Sequence, residues 1–118
     1  MNYAGYNRGC AYAKQGNSDQ AILDYSKAVE LDSEYEIAFV NRGNEYCKKG
    51  ELDLAIKDFS HALKLNSNDA KAYYDRGLAY AKKGETDKAL ADFNRSLERD
   101  PTNVKARNNK AKLLEKMH

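Results

Sequence analysis

Cysteine, histidine and carboxylate side chains are the groups in this sequence that could bind a metal or catalyse a reaction. Cys10 and Cys47 form no C-x-x-C pair, and His61 and His118 do not complete a ligand set with them. The carboxylates are spread along the chain without the spacing of a catalytic triad, a phosphate-binding loop or a metal site. The sequence therefore predicts no enzyme, no cofactor and no metal. It predicts two reduced thiols, typical of the cytoplasm or another reducing intracellular compartment, with a redox-sensitive cysteine pair or a metal site as alternatives.

The composition narrows the partners that the other polar side chains could bind. The chain has 118 residues, of which 42% are hydrophobic, so we expect a single domain over residues 1–118. Its 20 basic and 18 acidic residues give a formal charge of +2, far below the basic excess typical of nucleic-acid-binding domains. The sequence contains no apolar run of about 18 residues and no signal-peptide pattern, so it predicts neither a membrane span nor a secretory leader.

The elements that position these side chains are copies of one unit. Gly9, Gly43 and Gly77 recur at an interval of 34 residues (43 − 9 and 77 − 43), and an arginine directly precedes each of them. Other columns keep one residue type in all three copies, among them Tyr12/Tyr46/Tyr80, Gly16/Gly50/Gly84 and Asp24/Asp58/Asp92. Self-similarity at a period of this size predicts a solenoid, in which each unit packs only on its neighbours. We expect repeats at residues 2–35, 36–69 and 70–103, followed by a last segment at 104–118.

Each copy contains two helical segments separated by a turn. In the second copy, apolar residues recur at intervals of three and four over residues 35–48 and 52–65, which is the pattern of two amphipathic helices. Gly50 can end the first helix in a left-handed conformation. Ser33 is expected to cap the start of that helix, and Asn17 to cap the second helix of the first copy. A last helix over residues 103–117 is expected to be a polar cap with these apolar residues on one side: Val104, Ala111, Leu114 and Met117.

Two recurring features are expected to join the paired helices. A glycine inside a helix costs about 0.5–1 kcal/mol relative to alanine, so Gly9, Gly43 and Gly77 should allow a close approach to the second helix. The expected neighbours are the small residues Ala21, Ala55 and Ala89. Each arginine is expected to pair with the aspartate that recurs with it: Arg8 with Asp24, Arg42 with Asp58 and Arg76 with Asp92. A solvated arginine is the alternative, since an exposed ion pair contributes only about 0–1 kcal/mol.

These features resemble the tetratricopeptide repeat family. Its 34-residue helix-turn-helix unit favours an aromatic residue, a glycine four positions later and a tyrosine three beyond, then small residues around an aromatic residue in the second helix. The second copy fills these places with Phe39, Gly43, Tyr46, Ala55, Phe59 and Ala62, and the third with Tyr73, Gly77, Tyr80, Ala89, Phe93 and Pro101. The resemblance covers residues 2–103 as three repeats and 104–118 as a C-terminal capping helix. It implies an all-α, right-handed superhelical solenoid of antiparallel helix pairs.

The resemblance also implies a function, because related solenoids bind a peptide segment of a partner protein in the concave groove of their first helices. The corresponding residues recur at intervals of three and four opposite the Gly/Tyr core stripe, so we expect them to be exposed unless a ligand covers them. They are Tyr3, Tyr6, Asn7, Cys10, Lys14, Ile37, Val40, Asn41, Asn44, Lys48, Lys71, Tyr74, Asp75, Leu78 and Lys82. Tyr6, Val40 and Tyr74 are the expected anchors, and the lysines favour a partner with acidic as well as apolar residues. The alternative is that the tyrosines pack between repeats.

One subtype of the family can be compared residue by residue. Its co-chaperones bind the C-terminal carboxylate of heat-shock chaperones with two lysines, two asparagines and one arginine. Asn41 and Lys71 match two of these places, whereas Tyr6, Cys10 and Asp75 replace the other three. A carboxylate at Asp75 would repel the carboxylate of the ligand, so we do not expect this subtype.

Two further functions are weaker alternatives. The last segment is basic and could contact nucleic acid through Lys105, Arg107, Lys110, Lys112 and Lys116. Self-association could occur if the N-terminal helix stacks on another chain. Strong salt dependence would favour nucleic acid, and concentration-dependent sedimentation would favour self-association.

Overall fold

The computed structural model describes residues 3–117, and this part of the chain forms seven α-helices. They are α1 (Ala4–Lys14), α2 (Ser18–Leu31), α3 (Glu36–Lys48), α4 (Leu52–Leu65), α5 (Ala70–Lys82), α6 (Thr86–Arg99) and α7 (Val104–Lys116). Each helix packs mainly on its neighbours in the chain, and the molecule is elongated, with extents of 48 × 25 × 22 Å. The predicted all-α solenoid of three helix pairs and a last helix is confirmed. The seven helices of this range include no membrane-spanning candidate, because none has the required length and hydropathy.

The turns within the pairs follow the prediction more closely than the turns between them. Gly16, Gly50 and Gly84 each follow a first helix with φ of 79°, 78° and 82°, a conformation that residues with a Cβ atom rarely adopt. The Asn17 side chain accepts a hydrogen bond from the Gln20 backbone N–H, as predicted. The prediction for Ser33 is wrong, because α3 begins only after Tyr35 and no side chain caps it. The chain between Asp32 and Tyr35 closes through a backbone hydrogen bond instead.

The core glycines accommodate an aromatic ring of the paired helix, which corrects the expected partner. A Cβ atom added at Gly43 would lie 2.6 Å from Cε1 of Phe59, and one added at Gly77 would lie 2.7 Å from Cε1 of Phe93. Tyr25 takes the same place opposite Gly9. The alanines that we expected there are fully buried but are not the nearest neighbours: Ala21, Ala55 and Ala89. A broad, fully buried ring needs a flat helix surface, and the missing Cβ provides it.

The recurring arginines bind the recurring aspartates, and the predicted pairing is confirmed in all three copies. In each pair, Nε and Nη2 donate to the two carboxylate oxygens of Asp24, Asp58 or Asp92 over 2.7–2.9 Å. The aspartate side chains are only 1–5% exposed. Nη1 of Arg42 and of Arg76 also donates to a serine hydroxyl of the preceding repeat, Ser26 or Ser60, at 3.1 Å. Each of these two arginines therefore joins three helices.

The last helix does not pack on α6 through the apolar side read from the sequence. Ala106 and Leu113 are its buried residues. Val104, Leu114 and Met117 are 58%, 39% and 49% exposed, so the apolar side read from the sequence faces outward. The periodic pattern correctly identified an apolar stripe on α7, but only the packing shows which side of α7 is covered by α6.

Candidate functional site

A groove lies between the three first helices, because the repeat places equivalent residues of α1, α3 and α5 side by side. Its volume is about 460 Å³. It is lined by Cys10 and Ala13 of α1, Tyr25 of α2, Asn41, Asn44, Glu45 and Lys48 of α3, and Lys71 of α5. Five of these residues belong to the set that the sequence predicted for a peptide-binding groove. The groove is therefore the candidate site.

The fifteen predicted groove residues differ in their exposure. Seven are exposed: Tyr3, Asn7, Lys14, Ile37, Lys48, Lys71 and Lys82. Six are half-buried: Tyr6, Cys10, Asn41, Asn44, Tyr74 and Leu78. The expected exposure is wrong for Val40, which is 2% exposed, and for Asp75, which is 8% exposed. Val40 belongs to the core cluster of Phe39 and Phe59, so it cannot anchor a ligand.

Two of the expected anchors form bonds between repeats. Nδ2 of Asn41 donates to the Tyr6 hydroxyl at 2.8 Å, and Nδ2 of Asn109 donates to the Tyr74 hydroxyl at 3.1 Å. Both pairs are separated by 35 positions, so the same bond occurs at two repeat junctions. Burial raises the pKa of Tyr6 and of Tyr74 above the ordinary value, which keeps both phenols protonated. These contacts support the alternative that the tyrosines pack between repeats.

The middle junction lacks this bond because its residues differ. Val40 stands at the position of the two tyrosines and has no hydroxyl, and Asp75 stands at the position of the asparagines. The Asp75 carboxylate instead accepts a hydrogen bond from Nζ of Lys71 at 2.8 Å. Of the two residues that match the chaperone-binding pattern, Asn41 is therefore bonded to Tyr6 and Lys71 to Asp75.

Glu45 forms part of the groove floor, although it was not among the predicted site residues. It is 3% exposed, accepts a hydrogen bond from the Ser18 hydroxyl at 2.8 Å and accepts another from Nζ of Lys48 at 3.0 Å. The signal was present, because Glu45 occupies a column that contains Ala11 and Ala79 in the other copies. A carboxylate in a column of small residues requires polar partners when it is buried.

An aromatic cluster forms the N-terminal end of the groove. The ring of Tyr35 lies 4.6 Å from that of Tyr3 and 5.0 Å from that of Tyr6, and Tyr6 lies 5.7 Å from Tyr25, measured between centroids. Tyr35 and Tyr25 were not among the predicted site residues. Tyr35 ends the turn between repeats, so its position beside α1 depends on the path of that turn.

A pair of carboxyl groups lies beside Lys71. Oε1 of Glu36 is buried and has no hydrogen-bond partner among residues 3–117. Burial and then the neighbouring Asp69 carboxyl raise the pKa of Glu36 to about 7, and the Lys71 ammonium opposes this shift. The first turn of α3 therefore changes charge near neutral pH.

Four amide or ammonium side chains of the predicted set have no hydrogen bond or ion pair among the described residues: Asn7, Lys14, Asn44 and Lys82. Asn44 lines the groove and is half-buried, so its amide can both donate to and accept from a ligand. The two cysteines are half-buried free thiols, and burial raises the pKa of Cys47. Between Tyr3 and Met117, no three His, Cys, Asp or Glu residues are arranged to hold a metal ion.

Seven helices with a 34-residue repeat and a groove along the first helices define an α-helical repeat solenoid. The sequence model of the tetratricopeptide repeat matches residues 6–35 and 70–103, and a second model, TPR repeat, matches residues 43–84. The chain belongs to the tetratricopeptide repeat family. No curated protein sequence matches it.

Several solved structures share this fold over most of the chain. The first TPR of Spaghetti (RPAP3), bound to the HSP90 peptide SRMEEVD, is 31% identical with a TM-score of 0.94, over 96% of this chain and 90% of that one. The second TPR domain of human RPAP3, in complex with the HSP70 peptide SGPTIEEVD, is 28% identical with a TM-score of 0.89, over 93% and 92%. MamA is 28% identical with a TM-score of 0.93, over 96% of this chain and 66% of that one.

Proposed function

We propose that this protein is a non-enzymatic interaction module that binds an extended peptide segment of a partner protein in its groove. The observation that supports this function most directly is the half-buried Asn44 amide, which lines the groove without a partner. An extended peptide backbone offers donors and acceptors at regular intervals and can satisfy such an amide. Two structural neighbours contain a peptide, which supports the same class of ligand.

The charges along the groove favour a partner with acidic and apolar residues. Lys14 and Lys82 are exposed cations without an ion pair among residues 3–117. Ile37 is 45% exposed and Tyr3 is 42% exposed, so the same surface offers apolar contacts. Acidic side chains of the peptide would pair with the lysines, and its apolar side chains would cover Ile37 and Tyr3.

The peptide is expected to bind through an internal segment rather than through its C-terminal carboxylate. The Asn41 amide already donates one hydrogen bond to Tyr6 and the Lys71 ammonium is paired with Asp75, so a ligand carboxylate would compete with contacts within the chain. Asp75 also places a negative charge near the carboxylate that would have to bind there. The groove therefore differs chemically from one that binds a chain terminus.

The groove is tested by selecting random dodecapeptides on the protein and titrating the enriched sequence by fluorescence anisotropy. Asn44→Ala should weaken binding about tenfold, the effect expected when roughly 1–1.5 kcal/mol of hydrogen bonding is lost. Asn94→Ala changes an exposed asparagine of α6 in the same way and should leave the affinity unchanged. Equal affinities for the two variants would place the binding surface outside the groove.

The internal-segment proposal has a separate test with the peptide SRMEEVD. Wild-type protein should bind it weakly, and the variant Tyr6→Lys/Cys10→Asn/Asp75→Arg should bind it at least about tenfold more tightly, because it restores the missing donors. Tight binding by wild type would refute the internal-segment proposal and leave the groove in place.

A further inference from the structure

The last helix occupies the place of the first helix of another repeat. α7 begins and ends 34 residues after α5, as α5 does after α3. Asn103 caps α7 at the Ala106 N–H as Asp69 caps α5 at Ala72. The bond from Asn109 to Tyr74 repeats the bond from Asn41 to Tyr6. α7 therefore docks on the third repeat in the register of a first helix.

The face that the other first helices bury against their own second helix is exposed on α7. In α3 this face contains Gly43, which contacts the Phe59 ring, and Arg42, which binds Asp58. The equivalent residues of α7 are Ala111 and Lys110, and the tyrosine of the repeat is replaced by Leu114. Ala111 is exposed, Leu114 is 39% exposed, and Val104 and Met117 extend the apolar stripe at 58% and 49%.

The charge of α7 indicates what kind of helix would fit. The helix has one carboxylate, Glu115, and five cations: Lys105, Arg107, Lys110, Lys112 and Lys116. Lys110 forms no hydrogen bond or ion pair within residues 3–117, although each arginine at its position binds an aspartate of the second helix. An apolar stripe flanked by unpaired cations matches an amphipathic helix that carries carboxylates beside its apolar face.

We propose that the outward face of α7 is a second binding surface, which docks an acidic amphipathic helix of a partner protein. The three helix pairs of this chain show how such a helix packs, with one of its carboxylates on Lys110. Ala111 sets a condition on its sequence, because a Cβ at the equivalent Gly43 would lie 2.6 Å from the Phe59 ring. The docked helix should therefore carry a small residue where the second helices carry Tyr25, Phe59 or Phe93.

The probe is a synthetic, fluorescein-labelled peptide of residues 17–32 with Tyr25→Ala. Its native residues include one lysine and four carboxylates, and one of these carboxylates is Asp24, which binds Arg8 in the intact protein. The whole chain should bind this peptide saturably, and Lys110→Glu should weaken binding at least about tenfold. Lys57→Glu reverses an exposed lysine of α4 and should have no effect. A second peptide with Asp24→Lys should bind the Lys110→Glu variant better than it binds wild type.

The size condition is tested by restoring Tyr25 in the peptide. The unmodified peptide should bind wild type more weakly than the Tyr25→Ala peptide does, and Ala111→Gly should remove this difference. Far-UV circular dichroism of each protein variant checks that the solenoid is folded.

Three outcomes would overturn the proposal. Equal binding by Lys110→Glu and wild type would show that the peptide docks elsewhere, for example in place of α2. Concentration-dependent dimerisation that Lys110→Glu abolishes would assign the face to a second copy. Binding of a duplex oligonucleotide with a steep salt dependence, in the absence of peptide binding, would assign it to nucleic acid.

Discussion

The contact between Gly43 and Phe59 leads to a test with a matched control in the same protein. Gly43→Ala improves helix propensity by about 0.5–1 kcal/mol. The new methyl group would lie 2.6 Å from Cε1 of Phe59, a ring that is fully buried and cannot move into solvent. Overpacking of a core of this kind costs about 1–3 kcal/mol, so the net change should lie between about zero and a destabilisation of about 2.5 kcal/mol.

Gly5→Ala is the control, since it makes the same chemical change in a helix at a site with no atom within 4 Å of the new Cβ. It should stabilise the protein by about 0.5 kcal/mol, somewhat less than a mid-helix substitution because Gly5 lies in the first turn of α1. Urea unfolding followed by far-UV circular dichroism measures both variants, and Gly43→Ala/Phe59→Leu tests whether the ring causes the loss. A Gly43→Ala variant as stable as Gly5→Ala would refute the packing argument.

Three further predictions concern the ion pairs, the carboxyl pair and the junction between repeats. Arg42→Leu should lower the free energy of unfolding by about 2–3 kcal/mol, because it leaves the Asp58 carboxylate buried and unpaired; a gain in stability measured in urea would contradict this. The folded state keeps the Glu36 proton to about pH 7, against 4.5 for an ordinary glutamate, so wild-type stability should fall as pH rises through this window. Glu36→Gln should remove that fall, and a variant whose thermal midpoint still falls with pH as in wild type would exclude Glu36 as the cause. Tyr6→Phe should lower the free energy of unfolding by about 0.5–1.5 kcal/mol, because the hydrogen bond from Asn41 is lost. Its affinity for the selected dodecapeptide should stay within twofold of wild type. A large loss of affinity would show that the Tyr6 hydroxyl contacts the ligand.

The repeat period allowed the helices and their pairing to be predicted in detail, because each copy repeats the same local signals. The ranges 35–48 and 52–65 correspond to α3 (Glu36–Lys48) and α4 (Leu52–Leu65). The Arg–Asp pairs were also predictable, because both members recur together and opposite charges attract at short range. The residue that packs against each core glycine was not predictable, because residue spacing does not distinguish a nearby alanine from an aromatic ring that reaches across the interface.

The groove residues were predicted with less accuracy, for a physical reason visible in single side chains. The pattern placed Tyr6, Val40 and Tyr74 in one column, yet Val40 is buried and the two tyrosines bond to the next repeat. Exposure at such a position depends on the size and polarity of the residues opposite, which come from another repeat. Glu45 was missed for the same reason, since its partner Ser18 belongs to a different helix.

The amino-acid sequence by itself determined the helical repeat, the turns at its glycines and the arginine pairs, because these depend on residues of one copy and their neighbours. The tertiary structure alone decided which groove side chains are left without a partner in the chain and which face of α7 is left exposed. Both depend on how one repeat stacks on the next, and that stacking combines side chains from copies whose sequences differ at the contact.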